Sequence, residues 1–308
     1  MARTRFAGDL GLTTRMTAVI FLLGGLFVAL VVGLMYAFPA YAWLIGLAGI
    51  GIAWWQWYSS DTIAMKAMRA REVNQQQAPE LYGMIQRLCT LADMPMPRVG
   101  VADTDLPNAF ATGRSPRRAV VVVTTGILRR LDAEELEGVL AHELSHVAHR
   151  DVLVMTVAST AGIIAGMLGR GAQYGAMFGG FGGGRRDDRN NGGLPIWLIV
   201  LVGSLIVYAI SFLLLRLLSR YRELAADRAG AQLTMKPRAL ASALQKITGE
   251  INRIPQKDLR SAQPMNAFFF APAISGVSLK TLTSTHPSLE QRLAQLARIE
   301  AELGRPGS

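Results

Sequence analysis

The 308-residue chain is poor in cysteine, histidine and charge. Its one cysteine, Cys89, leaves no intrachain disulfide, which excludes a disulfide-stapled scaffold and suits a small buried thiol better than a nucleophile. Charged residues make up only 18% against 51% hydrophobic, a balance that excludes disorder and points to residence in a membrane. The net charge of +10 comes from scattered residues. Clusters such as Lys66, Arg69, Arg71 and Arg216, Arg220, Arg222 follow apolar runs, and no basic stripe is interleaved with aromatics, so nucleic acid is not an expected partner. A phosphate-cradling loop is missing too. Gly179, Gly180, Gly182, Gly183 and Gly184 are not followed by Gly-Lys-Ser/Thr, and the run reads as a flexible linker.

What is present begins with a stretch from Arg15 to Asp61 that holds no charged residue, long enough for two spans of ~20 residues. Pro39 divides it into Thr17 to Phe38 and Ala40 to Tyr58, with Trp43, Trp54, Trp55, Trp57 and Tyr58 as interfacial anchors. A cleaved signal peptide is the weaker alternative, because the apolar run exceeds an h-region of ~7–15 residues and a second run follows at once. A further apolar pair occupies Val152 to Gly169 and Leu194 to Leu215, giving about four transmembrane helices; for the shorter third segment, a partly embedded helix is the alternative. Arginines in the N-terminal tail and after residue 60 place residues 59–151 on the cytoplasmic side. Arg170, Arg185, Arg186 and Arg189 sit against that rule if the second hairpin crosses.

The polar segments read as one divided domain. Leu81, Met84, Ile85 and Leu88 space an amphipathic helix over Pro79 to Ala92. Arg98 to Ala102, Ala109 to Thr112 and Ala119 to Thr125 read as strands of a small antiparallel sheet. Asp132, with Glu135 three positions on, then caps a helix whose apolar face is Leu136, Val139, Leu140, Leu144 and Val147. The expected division is a tail and hairpin over 1–60, the first part of a cytoplasmic, mainly α (α+β) domain over 61–151, a second hairpin over 152–218 and the rest of the domain over 219–308.

That helix carries His142-Glu143-Leu144-Ser145-His146, a His-Glu-x-x-His motif. Positions i and i+4 share a helical face, so both imidazoles can reach one zinc ion, and Glu143 can reach a water on it. A catalytic zinc takes a third protein ligand. His149 is one candidate, though it lies close along the same helix. The other is a carboxylate from Arg220 to Asp227, where Glu223 and Asp227 form an i, i+4 pair able to supply one ligand and one partner for an imidazole N–H.

Taken together, the two N-terminal spans, Pro107-Asn108-Ala109-Phe110-Ala111, His142 to His146, the second apolar pair, Arg220 to Asp227, and Thr285-His286-Pro287 with Arg292 resemble the HtpX-type membrane zinc metalloproteases, relatives of the CAAX prenyl endopeptidases. The resemblance implies a zincin-like fold, one Zn2+ held by His142, His146 and Glu223, and Glu143 as general base. It implies Asp227 as an outer partner of a ligand, Asn108, Ala109 and Phe110 as a substrate-binding edge strand, and His286 and Arg292 as helpers at the scissile carbonyl. His286-Pro287 could instead simply cap an amphipathic helix over Leu289 to Leu303, and Ser288 stands where the family often has a second proline. The implied activity is peptide-bond hydrolysis by metal-activated water, on protein substrates including damaged membrane proteins, at the cytoplasmic (inner) membrane of a bacterium. A zinc-binding adaptor without proteolytic activity is the alternative, and a transporter is disfavoured because the spans lack ionisable residues in their apolar interiors.

Overall fold

The computed structural model describes residues 10–151, 165–166, 168–170, 196–253 and 287–304; most of the third apolar segment, the glycine-rich loop and His286 lie outside these. The chain divides into two units, one built from two and the other from three separated stretches of sequence.

One unit comprises residues 14–57 and 154–215. It holds most of α1 (Leu10–Ala37), α2 (Ala42–Tyr58) and the first part of α7 (Ile196–Thr234). A 3-10 turn at Pro39–Tyr41 separates α1 from α2, as the proline dictates. Phe21, Trp43, Trp54, Trp55 and Leu205 are exposed, an apolar surface of the kind that marks membrane contact. Among the described residues two helices are long and apolar enough to cross a membrane, α1 and α7, while α2, at 17 residues, is shorter.

The other unit takes residues 1–13, 58–153 and 216–308. After α3 (Ser60–Ala67) come β1 (Ala70–Val73), α4 (Pro79–Ala92), β2 (Arg98–Ala102), β3 (Ala109–Thr112), β4 (Val120–Thr124), α5 (Thr125–Arg130) and α6 (Ala133–Ala148). The last stretch supplies the end of α7, then α8 (Pro237–Arg253) and α9 (Leu289–Leu303). The expected antiparallel sheet is corrected to a mixed one of order β1-β2-β4-β3, in which β2 and β4 run parallel and the outer pairs antiparallel. Alternation along a strand tells which face each residue takes, not which strand lies beside it, so the sequence could not show that β4 inserts between β2 and β3. β1 escaped notice because Arg71 and Glu72 face solvent.

All of β4 is buried, as its unbroken Val-Val-Val-Val run demands of a strand covered on both sides. Val121 and Val123 join the main core with Val99, Val139, Leu140, Leu144, Leu240 and Leu296, whereas Val120, Val122 and Phe110 pack with Met68 on the other face. α6 opens with the expected capping box: the Asp132 carboxylate accepts from the N–H groups of Glu134 and Glu135, and the Glu135 side chain accepts from the Asp132 N–H. A similar box of Ser288 and Gln291 starts α9. The end of the fourth apolar segment and the Glu223 segment lie on one uninterrupted 39-residue helix.

Candidate metal centre

α6 buries nearly its whole length, from Glu135 to Val147, so its polar residues must find partners inside the protein. His142 and His146 lie on one face with Nε2 atoms 3.2 Å apart. From α7, Glu223 places Oε2 3.7 Å from the first and Oε1 3.6 Å from the second. Close approach of the helices makes this reach possible: a Cβ at Gly230 would stand 2.9 Å from the backbone nitrogen of His142.

Each imidazole has its other nitrogen occupied. His142 Nδ1 lies 2.9 Å from Asp227 Oδ1, and His146 Nδ1 lies 2.7 Å from Asp151 Oδ2. Ionised carboxylates only accept, so both Nδ1 atoms carry a proton and both Nε2 atoms are the ones turned toward Glu223. Asp227 is in turn held by Arg292, whose Nε and Nη2 donate to its two oxygens at 2.7 and 2.6 Å. Arg292, expected at the scissile carbonyl, is 2% exposed and engaged with Asp227.

The charges show what the centre could hold. Burial opposes a charge on His142, but its hydrogen bonds with Asp227 and Glu223 and the Asp227 charge outweigh this and raise it to about 9. Burial pushes His146 down, only partly offset by Asp151. Burial would raise Asp227, yet the Arg292 charge and the hydrogen bonds from Arg292 and His142 hold it below the usual carboxylate range. Two imidazole nitrogens 3.2 Å apart, each with one oxygen of the same carboxylate 3.6–3.7 Å away in a buried, net-acidic site, make a donor set suited to a cation. Zinc takes histidine nitrogens and carboxylate oxygens as ligands, and one such atom from each of the three residues lies within 4.8 Å of the others, so the chemistry of the donor set fits such an ion.

Glu143, adjacent to the first imidazole in sequence, is raised to about 7 by burial and the Glu223 charge, against the pull of His142, the Ala111 amide and Arg292. Its Oε2 accepts from the N–H of Ala111 at 3.0 Å. That bond ties α6 to β3, the outer strand of the sheet. Asn108 backbone groups bond to Thr124, donating to its Oγ1 and accepting from its N–H, so by alternation Ala109 and Ala111 turn their backbone groups away from β4. Phe110 directs its side chain into the core.

A model of peptidase family M48 matches residues 58–300. The chain belongs to peptidase family M48. As an M48 metallopeptidase it implies a bound metal ion, and among the described residues His142, His146 and Glu223 form the cluster able to hold one. Relatives of this M48 chain include Protease HtpX homolog 1 of Streptomyces coelicolor, 54% identical over 98% of this chain and 97% of the relative. Protease HtpX homolog of Moorella thermoacetica is 48% identical, covering 98% of each. The crystal structure of S. mikatae Ste24p has the same fold, with a TM-score of 0.52 at 17% identity over 92% of this chain and 65% of that one.

Sequence reading reached His142, Glu143, His146, Glu223 and Asp227 but missed Asp151 and Arg222, which pair at 3.1 Å beside His146. The available signal was an aspartate standing directly before an uncharged run. His149, the other candidate ligand, is the C-cap of α6 and lies outside the donor cluster.

Proposed function

We propose that this M48 peptidase is a membrane-bound, zinc-dependent endopeptidase that cleaves misfolded or damaged membrane proteins on the cytoplasmic side of the membrane. The observation that carries this reading is the buried set His142, His146 and Glu223 with Glu143 beside it, tied to an outer strand. Residues 61–151 and 219–308 form its protease part, and the apolar segments within 1–60 and 152–218 anchor it to the bilayer.

His142, His146 and Glu223 would hold the ion, which when bound supplies a Lewis acid able to polarise a peptide carbonyl and acidify water. Glu143 takes the proton from the attacking water and returns it to the leaving amine, so no covalent enzyme intermediate is needed. The outward backbone groups of Ala109 and the carbonyl of Ala111, whose N–H is held by Glu143, position the substrate as an added strand, which exploits an edge that sheets otherwise have to protect. Asp227 keeps the His142 tautomer, and Arg292 acts through Asp227. His286 is assigned to the scissile carbonyl.

The test is metal content together with casein-type proteolysis by the purified chain beside Glu143→Gln. Zinc retained and proteolysis lost in the variant supports the assignment; equal turnover by both proteins would sink it.

A further inference from the structure

Behind His146 lies a second chain of buried groups, distinct from the Arg292–Asp227 pair behind His142. α6 ends at Ala148, and Arg150 adopts φ +58, the left-handed conformation that side chains rarely take. This turns the backbone so that Asp151, five residues beyond His146, comes under the imidazole of the same chain, a position that a continuing helix would carry off to another face. Asp151 is 1% exposed and its Oδ2 meets both His146 Nδ1 at 2.7 Å and Arg222 Nε at 3.1 Å. Its other oxygen has no hydrogen-bond partner among the described residues, and neither has Arg222 Nε, so the arginine meets Asp151 as an ion pair. Arg222 is itself largely buried and immediately precedes Glu223 on α7.

We infer that Asp151 and Arg222 are a positioning pair for metal binding: Asp151 fixes the tautomer and ring orientation of His146, and Arg222 holds Asp151 in place. The inference rests on the proposed metal centre. Its physical basis is that an ionised aspartate buried under an imidazole needs a compensating cation, and a ligand whose Nδ1–H is anchored presents Nε2 at a fixed angle with raised basicity. Because Arg222 and Glu223 are neighbours on one helical turn, any shift of α7 that moves the third ligand also moves the clamp on the second.

The experiment measures Co(II) affinity and the visible absorption of bound Co(II) for the full detergent-solubilised chain. Asp151→Asn keeps the shape but removes the charge. Since it leaves the Arg222 guanidinium buried without its partner, Asp151→Asn with Arg222→Gln is measured beside it, together with Arg222→Gln alone. Asp151→Asn is expected to weaken Co(II) binding by about 10- to 100-fold and to alter the absorption band, as loss of such a partner does. In that background Arg222→Gln should add no further loss, because the arginine acts through Asp151. Thermal unfolding of the metal-free paired variant should stay near wild type. Wild-type affinity and spectrum in either folded aspartate variant overturn the inference, as does a large additional loss in the paired variant. A wild-type chain that binds no Co(II) overturns the metal-centre reading itself, and the inference with it.

Discussion

Glu143 rests one oxygen on the Ala111 amide and lies close enough to His142 and Glu223 to feel both charges. Glu143→Gln keeps the shape and all three metal donors, so metal content should be unchanged while proteolysis falls by roughly 100- to 10,000-fold, measured on a casein-type substrate. Glu223→Ala should strip the metal, whereas His149→Ala should retain it, and metal analysis of the two purified variants separates a two-helix centre from a one-helix centre. Cys89 offers a pH test. Burial pushes its thiol up to about 12, so between pH 7 and 9 it stays protonated and should not react with a thiol reagent until the protein unfolds. Labelling of the native chain at pH 8 contradicts this. At this scale the sequence was most legible where spacing encodes geometry, as in His142 and His146 one helical turn apart. It was least legible for Asp151, whose approach to His146 depends on a left-handed turn at Arg150 that no residue type there announces.

Elements bring these residues together by close packing. α6 and α7 approach so tightly at Gly230 that a methyl group there would press on the His142 backbone, and Gly138 meets the Leu240 backbone of α8 in a similar way. Gly230→Ala is therefore expected to push α7 outward, cost about 1–3 kcal/mol and weaken metal binding, while Gly83→Ala, where nothing lies within 4 Å, should do neither. Chemical denaturation and metal titration of the two variants check this; equal behaviour would show that the helices can part without disturbing the ligands. The start of α6 was legible because its cap is local, Asp132 with Glu135 declaring itself within four residues; the cap of α9 was sought at His286-Pro287, whereas Ser288 with Gln291 forms it. Sheet order was not legible, since β4 takes its place between β2 and β3 through contacts that no local pattern records.

On the scale of the whole molecule, the apolar helices and the polar unit alternate along the chain. The proposed topology predicts that cysteines placed at Arg118 or Arg238 in a Cys89→Ser background resist impermeant thiol reagents added outside the cell. One placed in the Gly179 to Gly184 loop should react if the second hairpin crosses, and protection of the loop means an embedded hairpin instead. The same alternation has a consequence in time. The two imidazoles and the proposed base belong to the stretch before the second apolar pair, while Glu223, Asp227 and Arg292 follow it. During synthesis His146 emerges about 150 residues ahead of Arg292, and at roughly 5–20 residues per second that interval is about 7–30 s. For about the first half of it Glu223 has not yet been made, and until its end Asp227 lacks Arg292, so the proposed centre cannot be assembled with all its supports until the chain is nearly complete.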